Sequence, residues 1–135
     1  MRTVFADTGY WFALLNPKDQ LHGKAKSVSA TLGRVRIVTS EMVLDELLAG
    51  LSVPPARATA IDAVGRVLSN PNVEVVPQTS LQFREAFDLY KSRADKEWSL
   101  TDCASFNLMK ERGITEALAH DEHFVQAGFK ALLRV

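Results

Sequence analysis

Cysteine is nearly absent: the 135 residues hold one, Cys103. An intramolecular disulfide and a thiolate zinc cage are both excluded, and a reducing, cytoplasmic setting is the plain expectation. Long apolar runs are missing as well. The longest, Tyr10 to Leu15, spans six residues, against the ~20 that cross a bilayer. No membrane segment is expected. Met1 to Asp7 meets charge before a secretory apolar region develops, so export is not expected either. An excess of one charge is also lacking, with 16 Lys+Arg against 16 Asp+Glu. Zero net charge excludes a protein that grips nucleic acid electrostatically over its whole surface. It leaves local contact open. The one local bias lies between Lys18 and Arg36, where Lys18, Lys24, Lys26, Arg34 and Arg36 face only Asp19. A solvated helix face is the plainer reading of that stretch, with a phosphate-tracking patch as the sharper one.

What is present is an ordinary core composition, 47% hydrophobic and 24% charged, at a length that suits one domain covering 1–135. Apolar patterning alternates strands with helices. Strands are expected at Thr3–Ala6, Val35–Thr39, Val73–Val76, Thr115–Ala119 and Phe129–Val135. Helices are expected at Tyr10–Asn16, Gln20–Leu32, Ser40–Leu51, Ala56–Leu68, Leu81–Ala94 and Thr101–Arg112, with a helical turn over Asp121–Gln126. Ser40 reads as an N-cap and Gly113 as a terminating glycine. Strands joined through helices imply right-handed crossovers and a sheet covered on both faces. The expected fold is a three-layer α/β/α sandwich with a mostly parallel sheet of about five strands.

In such a sheet ligands bind beyond the carboxyl ends of the strands. Asp7 follows the first strand and Asp121 the fourth, while Asp102 lies in the first turn of a helix. A further acid comes from the helix after the second strand, where Asp45 and Glu46 flank the apolar stripe about equally. Periodicity does not choose between them. Each acid alone has a bland role as turn former, cap or solvated charge. Together at one edge they suggest a shared site. Carboxylates packed closely raise one another's pKa, and a divalent cation relieves that repulsion. All-oxygen donors suit Mg²⁺ or Mn²⁺. Such an ion activates water and stabilises charge on a phosphoryl oxygen. The same repulsion predicts that Asp7→Asn or Asp102→Asn leaves metal-free stability unchanged or raises it.

Four blocks resemble PIN-domain ribonucleases of the VapC-like kind. Val4-Phe5-Ala6-Asp7-Thr8-Gly9-Tyr10-Trp11 is similar to the family's opening. Thr39 to Leu47 resembles the second block, a likeness that picks Glu46. Trp98 to Phe106 resembles the third, with Asp102 its acid, and Ala119 to Phe124 the last, with Asp121. The resemblance implies a PIN-like fold and a metal-dependent endoribonuclease whose acids Asp7, Glu46, Asp102 and Asp121 hold Mg²⁺ or Mn²⁺. Asp7 and Asp102 would ligate directly; Glu46 and Asp121 would act through water or orient the nucleophile. Thr8 and Thr101 would support them. His120 stands where the family often has Thr or Ser. The resemblance further implies a toxin of a toxin–antitoxin pair, dimeric, acting on RNA and inhibited by a small antitoxin protein.

The remaining polar and aromatic candidates have plainer readings. His120 and His123 lack further His or Cys near them for zinc, and His123 reads as a packed or capping residue beside Phe124. Tyr10, Trp11 and Phe12 read as core or dimer surface. Trp98 is the better candidate for stacking on an RNA base. Two rivals to the nuclease reading are a catalytically silent PIN-like binding module and a receiver-type phosphoacceptor domain.

Overall fold

The structure, a computed structural model, describes residues 1–134. Its five strands are β1 (Arg2–Ala6), β2 (Val35–Ser40), β3 (Val73–Val76), β4 (Glu116–Leu118) and β5 (Lys130–Ala131). They form one sheet in the order β3-β2-β1-β4-β5, and every neighbouring pair is parallel. Central β1 carries Val4, Phe5 and Ala6, all fully buried. That uninterrupted apolar run is what a strand covered on both faces requires.

The connections are helical: α1 (Thr8–Leu15), α2 (His22–Thr31), α3 (Glu41–Gly50), α4 (Ala56–Ser69), α5 (Ser80–Ser92), α6 (Leu100–Arg112) and α7 (Glu122–Gln126). Right-handed crossovers put α1 to α4 on one face and α5 to α7 on the other. The packing agrees, since α1, α3 and α4 touch one another while α6 packs on α5 and α7. The three-layer parallel sandwich is therefore as the patterning indicates. Chain direction across the sheet reverses between β1 and β4, which opens a crevice at their carboxyl ends.

Local signals explain most boundaries. The Ser40 hydroxyl accepts from the Val43 N–H at 3.2 Å, and Gly113 closes α6 at φ 66°, ψ 26°, a conformation glycine adopts without penalty. Asp19 and His22 secure the start of α2. The Asp19 carboxylate accepts from the Leu21 N–H at 2.8 Å, and His22 Nδ1 meets the Ala13 carbonyl at 2.7 Å. In the cationic stretch, Arg36 pairs with Glu74 at the amino end of the sheet and Lys26 is exposed on α2. That fits a solvated face.

The last strand departs from expectation. Pairing stops after Ala131, and Leu132–Arg134 forms a 3₁₀ turn. Leu132 and Leu133 are consecutive and both buried. A strand sends neighbours to opposite faces, so an edge strand cannot bury both on one side. The turn does, with the Leu133 N–H donating to the Ala119 carbonyl at 3.0 Å. Val135 lies outside the described residues.

Candidate active site

The crevice between β1 and β4 is an open cleft lined by Asp7, Glu46, Asp102, Asp121, Glu97 and Glu122, together with Thr8, His120, His123 and Arg134. All four sequence-predicted acids meet there. Glu46 lines the cleft and Asp45 does not. Helix phase leaves the two equivalent; the cleft takes Glu46, the acid the family resemblance picks. Thr8 is also in the wall, buried, while half-buried Thr101 is not among the lining residues.

Each acid is delivered by a different local device. Asp7 is the N-cap residue of α1, in extended conformation (φ −87°, ψ 164°), yet its side chain makes no capping bond. Its backbone N–H donates to the Leu118 carbonyl at 3.2 Å, which ties β1 to β4 where the acids face each other. Asp102 sits at the third position of α6 in a reciprocal capping box. It accepts the Ser99 N–H on Oδ2 at 3.0 Å, and its own N–H donates to the Ser99 hydroxyl at 3.0 Å. Asp121 caps α7 by accepting the His123 N–H at 3.0 Å. The bland roles of Asp102 and Asp121 are thus real, and they aim the side chains. Capping and clustering coexist.

The electrostatics are those of crowded carboxylates. Burial pushes Asp7 up to about 7, the Thr8 backbone N–H offsets part of that, and the charges of Asp102, Glu46 and Asp121 push it further. Asp102 is also raised, first by burial and then by Asp121, against the lowering effect of the Ser99 N–H and His123. Both carboxyls therefore favour their neutral forms more than a solvated Asp does.

His123 is the residue that sequence reasoning missed. Its Nδ1 lies 2.9 Å from Asp102 Oδ2 and 3.2 Å from Asp121 Oδ1. Asp102, Asp121 and His123 offer ligand atoms within 4.8 Å of one another. The signal lay in the cap itself: with Asp121 bonded to the backbone of His123, the ring must emerge beside the same carboxylate. His120, by contrast, is exposed and offers its carbonyl to Arg134 at 2.8 Å.

Trp98 takes the plainer of its two readings, a packed side chain. Trp98 is 6% exposed, its indole N–H donates to Gln126 at 2.9 Å, and Phe106 meets it edge-on. The Arg93 guanidinium covers the ring at 4.9 Å. A base has no face to stack upon. Tyr10 and Trp11 are core residues.

The residues fit a hard cation. Their donors are carboxylate oxygens converging on one cleft, and the Thr8 hydroxyl is buried in its wall with no hydrogen-bond partner among the described residues. Buried hydroxyls are rarely left so.

The fold and the cleft define the class: a parallel α/β domain that gathers carboxylates at its switch point. More narrowly, the chain belongs to the PIN domain family, whose model matches residues 4–130. It is 34% identical over 126 residues to the 23S rRNA-specific endonuclease VapC20 of Mycobacterium tuberculosis, covering 93% of this chain and 95% of that protein. The crystal structure of Mycobacterium tuberculosis VapC20, described as a sarcin-ricin loop cleaving toxin, superposes with a TM-score of 0.85 at 31% identity, again over 93% and 95% of the two chains. FitAcB from Neisseria gonorrhoeae shares the fold, with a TM-score of 0.64 at 15% identity over 95% of each chain.

Proposed function

We propose that the chain is a single PIN nuclease domain, a metal-dependent endoribonuclease that serves as the toxin of a toxin–antitoxin pair. The observation that carries this reading is the meeting of Asp7, Glu46, Asp102 and Asp121 in one cleft. The similarity to an rRNA-specific endonuclease over nearly the whole chain supports it. Mg²⁺ or Mn²⁺ is the cofactor that this oxygen-rich set suits. Bound there, the ion supplies charge to neutralise a phosphodiester and lowers the pKa of water.

The chain's own residues do the positioning. Ser99 and His123 both bond Oδ2 of Asp102, so Oδ1 is the oxygen that would be offered to a cation. Asp7 ionises near neutrality, so it yields its proton readily when a cation arrives. Glu46 and Asp121, both exposed, orient water and the outer coordination. Thr8 supplies a hydroxyl beside Asp7; Thr101 supports the Asp102 turn from outside the cleft. The partners are RNA, a small antitoxin protein and a second copy of the chain. No helix among the described residues is long and apolar enough to cross a membrane, and the cytoplasm is the proposed compartment.

The test is cleavage of RNA by the purified chain with Mg²⁺ or Mn²⁺ and with EDTA. Cleavage that needs the metal and vanishes in Asp7→Asn is expected. RNA binding without cleavage under every metal would favour the silent binding module instead. Transfer of phosphate from a small donor to Asp7, read by intact mass, would favour the receiver-type reading.

A further inference from the structure

The cleft is strongly acidic, yet its wall contains one guanidinium. Six carboxylates line it, and Arg134 is the only Lys or Arg among its lining residues. A lone cation facing so many acids would ordinarily be drawn into a salt bridge. Arg134 forms none among the described residues. Its Nη1 donates instead to a neutral acceptor, the His120 carbonyl, at 2.8 Å. That bond uses one of five guanidinium N–H donors and none of the charge.

The backbone beneath it is fixed. Leu132 and Leu133 are buried, the Leu133 N–H is tied to the Ala119 carbonyl at the end of β4, and the 3₁₀ turn packs on α2. Arg134 is thus carried at the cleft on a rooted turn, held by the residue just before Asp121. Four acids relieved by a divalent ion still leave net negative charge around an incoming phosphate. A planar fork whose other donors have no partner among the described residues offsets that repulsion and matches two phosphate oxygens at once.

We propose that Arg134 is a substrate-binding residue that takes the non-bridging oxygens of an RNA backbone phosphate entering the cleft. The proposal rests on the endoribonuclease reading and adds to it a protein cation at the phosphate. The bond to His120 preorganises the guanidinium, so little side-chain freedom is lost on binding. This also gives His120 a role through its backbone.

The test compares wild type, Arg134→Gln and Arg134→Lys. Each is titrated against a short fluorescein-labelled single-stranded RNA in Ca²⁺, which the same carboxylates accept; probe integrity is checked on a gel. The affinity is measured across a salt series, and melting temperature alongside. Arg134→Gln is expected to weaken binding about tenfold, as loss of a charged hydrogen bond does. It should also flatten the dependence of log Kd on log salt by about 0.7, the value of one single-strand phosphate contact. Arg134→Lys should keep the slope. In steady-state cleavage the Gln variant should raise KM more than it lowers kcat. An unchanged slope in Arg134→Gln, with or without a lower melting temperature, overturns the proposal. So does a Lys variant whose slope flattens as much as that of Gln, because the slope would then not report the charge at this position. If wild type binds and cuts RNA while Arg134→Gln matches it, only this inference fails. If wild type neither binds nor cuts, the endoribonuclease reading fails with it.

Discussion

His123 Nδ1 lies 2.9 Å from Oδ2 of Asp102, and the same nitrogen is 3.2 Å from Oδ1 of Asp121. One ring thus bridges acids that arrive on α6 and α7, elements separated in sequence by β4. Without it, two carboxylates on separate helices would repel and drift. With it, the Asp102 oxygen that Ser99 already holds is fixed from a second direction.

His123→Ala is therefore expected to weaken divalent binding by about 10–100-fold, the usual effect of losing a group that orients a ligand. Calorimetric titration of the metal-free protein with Mn²⁺ measures this directly. His123→Asn, which can still donate toward Asp102, should recover part of the loss. Equal affinity in wild type and the Ala variant would show that the capping box alone orients Asp102.

How much was legible beforehand follows from what each signal encodes. The sheet was readable because its strands are short apolar runs cut off by turn residues, and Val4-Phe5-Ala6 leaves no alternative to a doubly covered centre. The terminal segment misled because Leu132 and Leu133 read equally well as strand; only their packing against α2 and β4 favours the turn. Asp7 and Asp121 were readable from strand-end position alone. Glu46 was legible only through the family resemblance, since helix phase leaves it equivalent to Asp45. His123 and Arg134 escaped for a related reason. Their roles come from contacts across β4 and the last turn, which no local period records. Trp98 stayed ambiguous because an aromatic next to a site acid looks the same in sequence whether it faces the cleft or Phe106.

The raised Asp7 pKa has a signed consequence for stability. Its folded-state value is about 7 against an ordinary 3.8, so between those limits the folded chain keeps a proton that the unfolded chain has lost. Metal-free stability should then fall as pH rises from about 4 to about 7 and level off above, by on the order of a few kcal/mol. Asp7→Asn removes that decline and should be more stable than wild type at pH 8 in EDTA. Urea unfolding at several pH values checks it. Parallel pH profiles for the two proteins would mean that Asp7 is ionised throughout. Mn²⁺ affinity should rise about tenfold per pH unit below 7 and flatten above it.

Asp102 is predicted to behave differently, which refines the expectation that repulsion alone sets. Its carboxylate closes the capping box as well as crowding Asp7 and Asp121. Asp102→Ala should cost about 1 kcal/mol of metal-free stability, the usual value of a lost cap. Asp102→Asn keeps an oxygen for the Ser99 N–H and should sit within about 0.5 kcal/mol of wild type, a spread typical of changes that keep the local bonds. Both should lose cation binding. Denaturation in EDTA followed by Mn²⁺ titration separates the two effects; an Ala variant as stable as wild type would remove the cap from the account.

Thr8 offers the clearest separation of stability from function. Its hydroxyl is buried beside Asp7 with no hydrogen-bond partner among the described residues, so in the metal-free protein it carries a desolvation cost without return. Thr8→Val preserves the branched shape and removes that polar group. Metal-free stability should be unchanged or higher by about 1 kcal/mol, within the range for relieving an unsatisfied hydroxyl. Divalent affinity should nevertheless fall, because the hydroxyl is available to a coordinated water or to the ion's other ligands. Thr8→Ser, which restores the oxygen with less bulk, should recover affinity while losing packing. Melting curves in EDTA and Mn²⁺ titrations on the three proteins decide it. A Val variant that is both less stable and equally good at binding Mn²⁺ would mean that Thr8 serves the start of α1 and not the cleft.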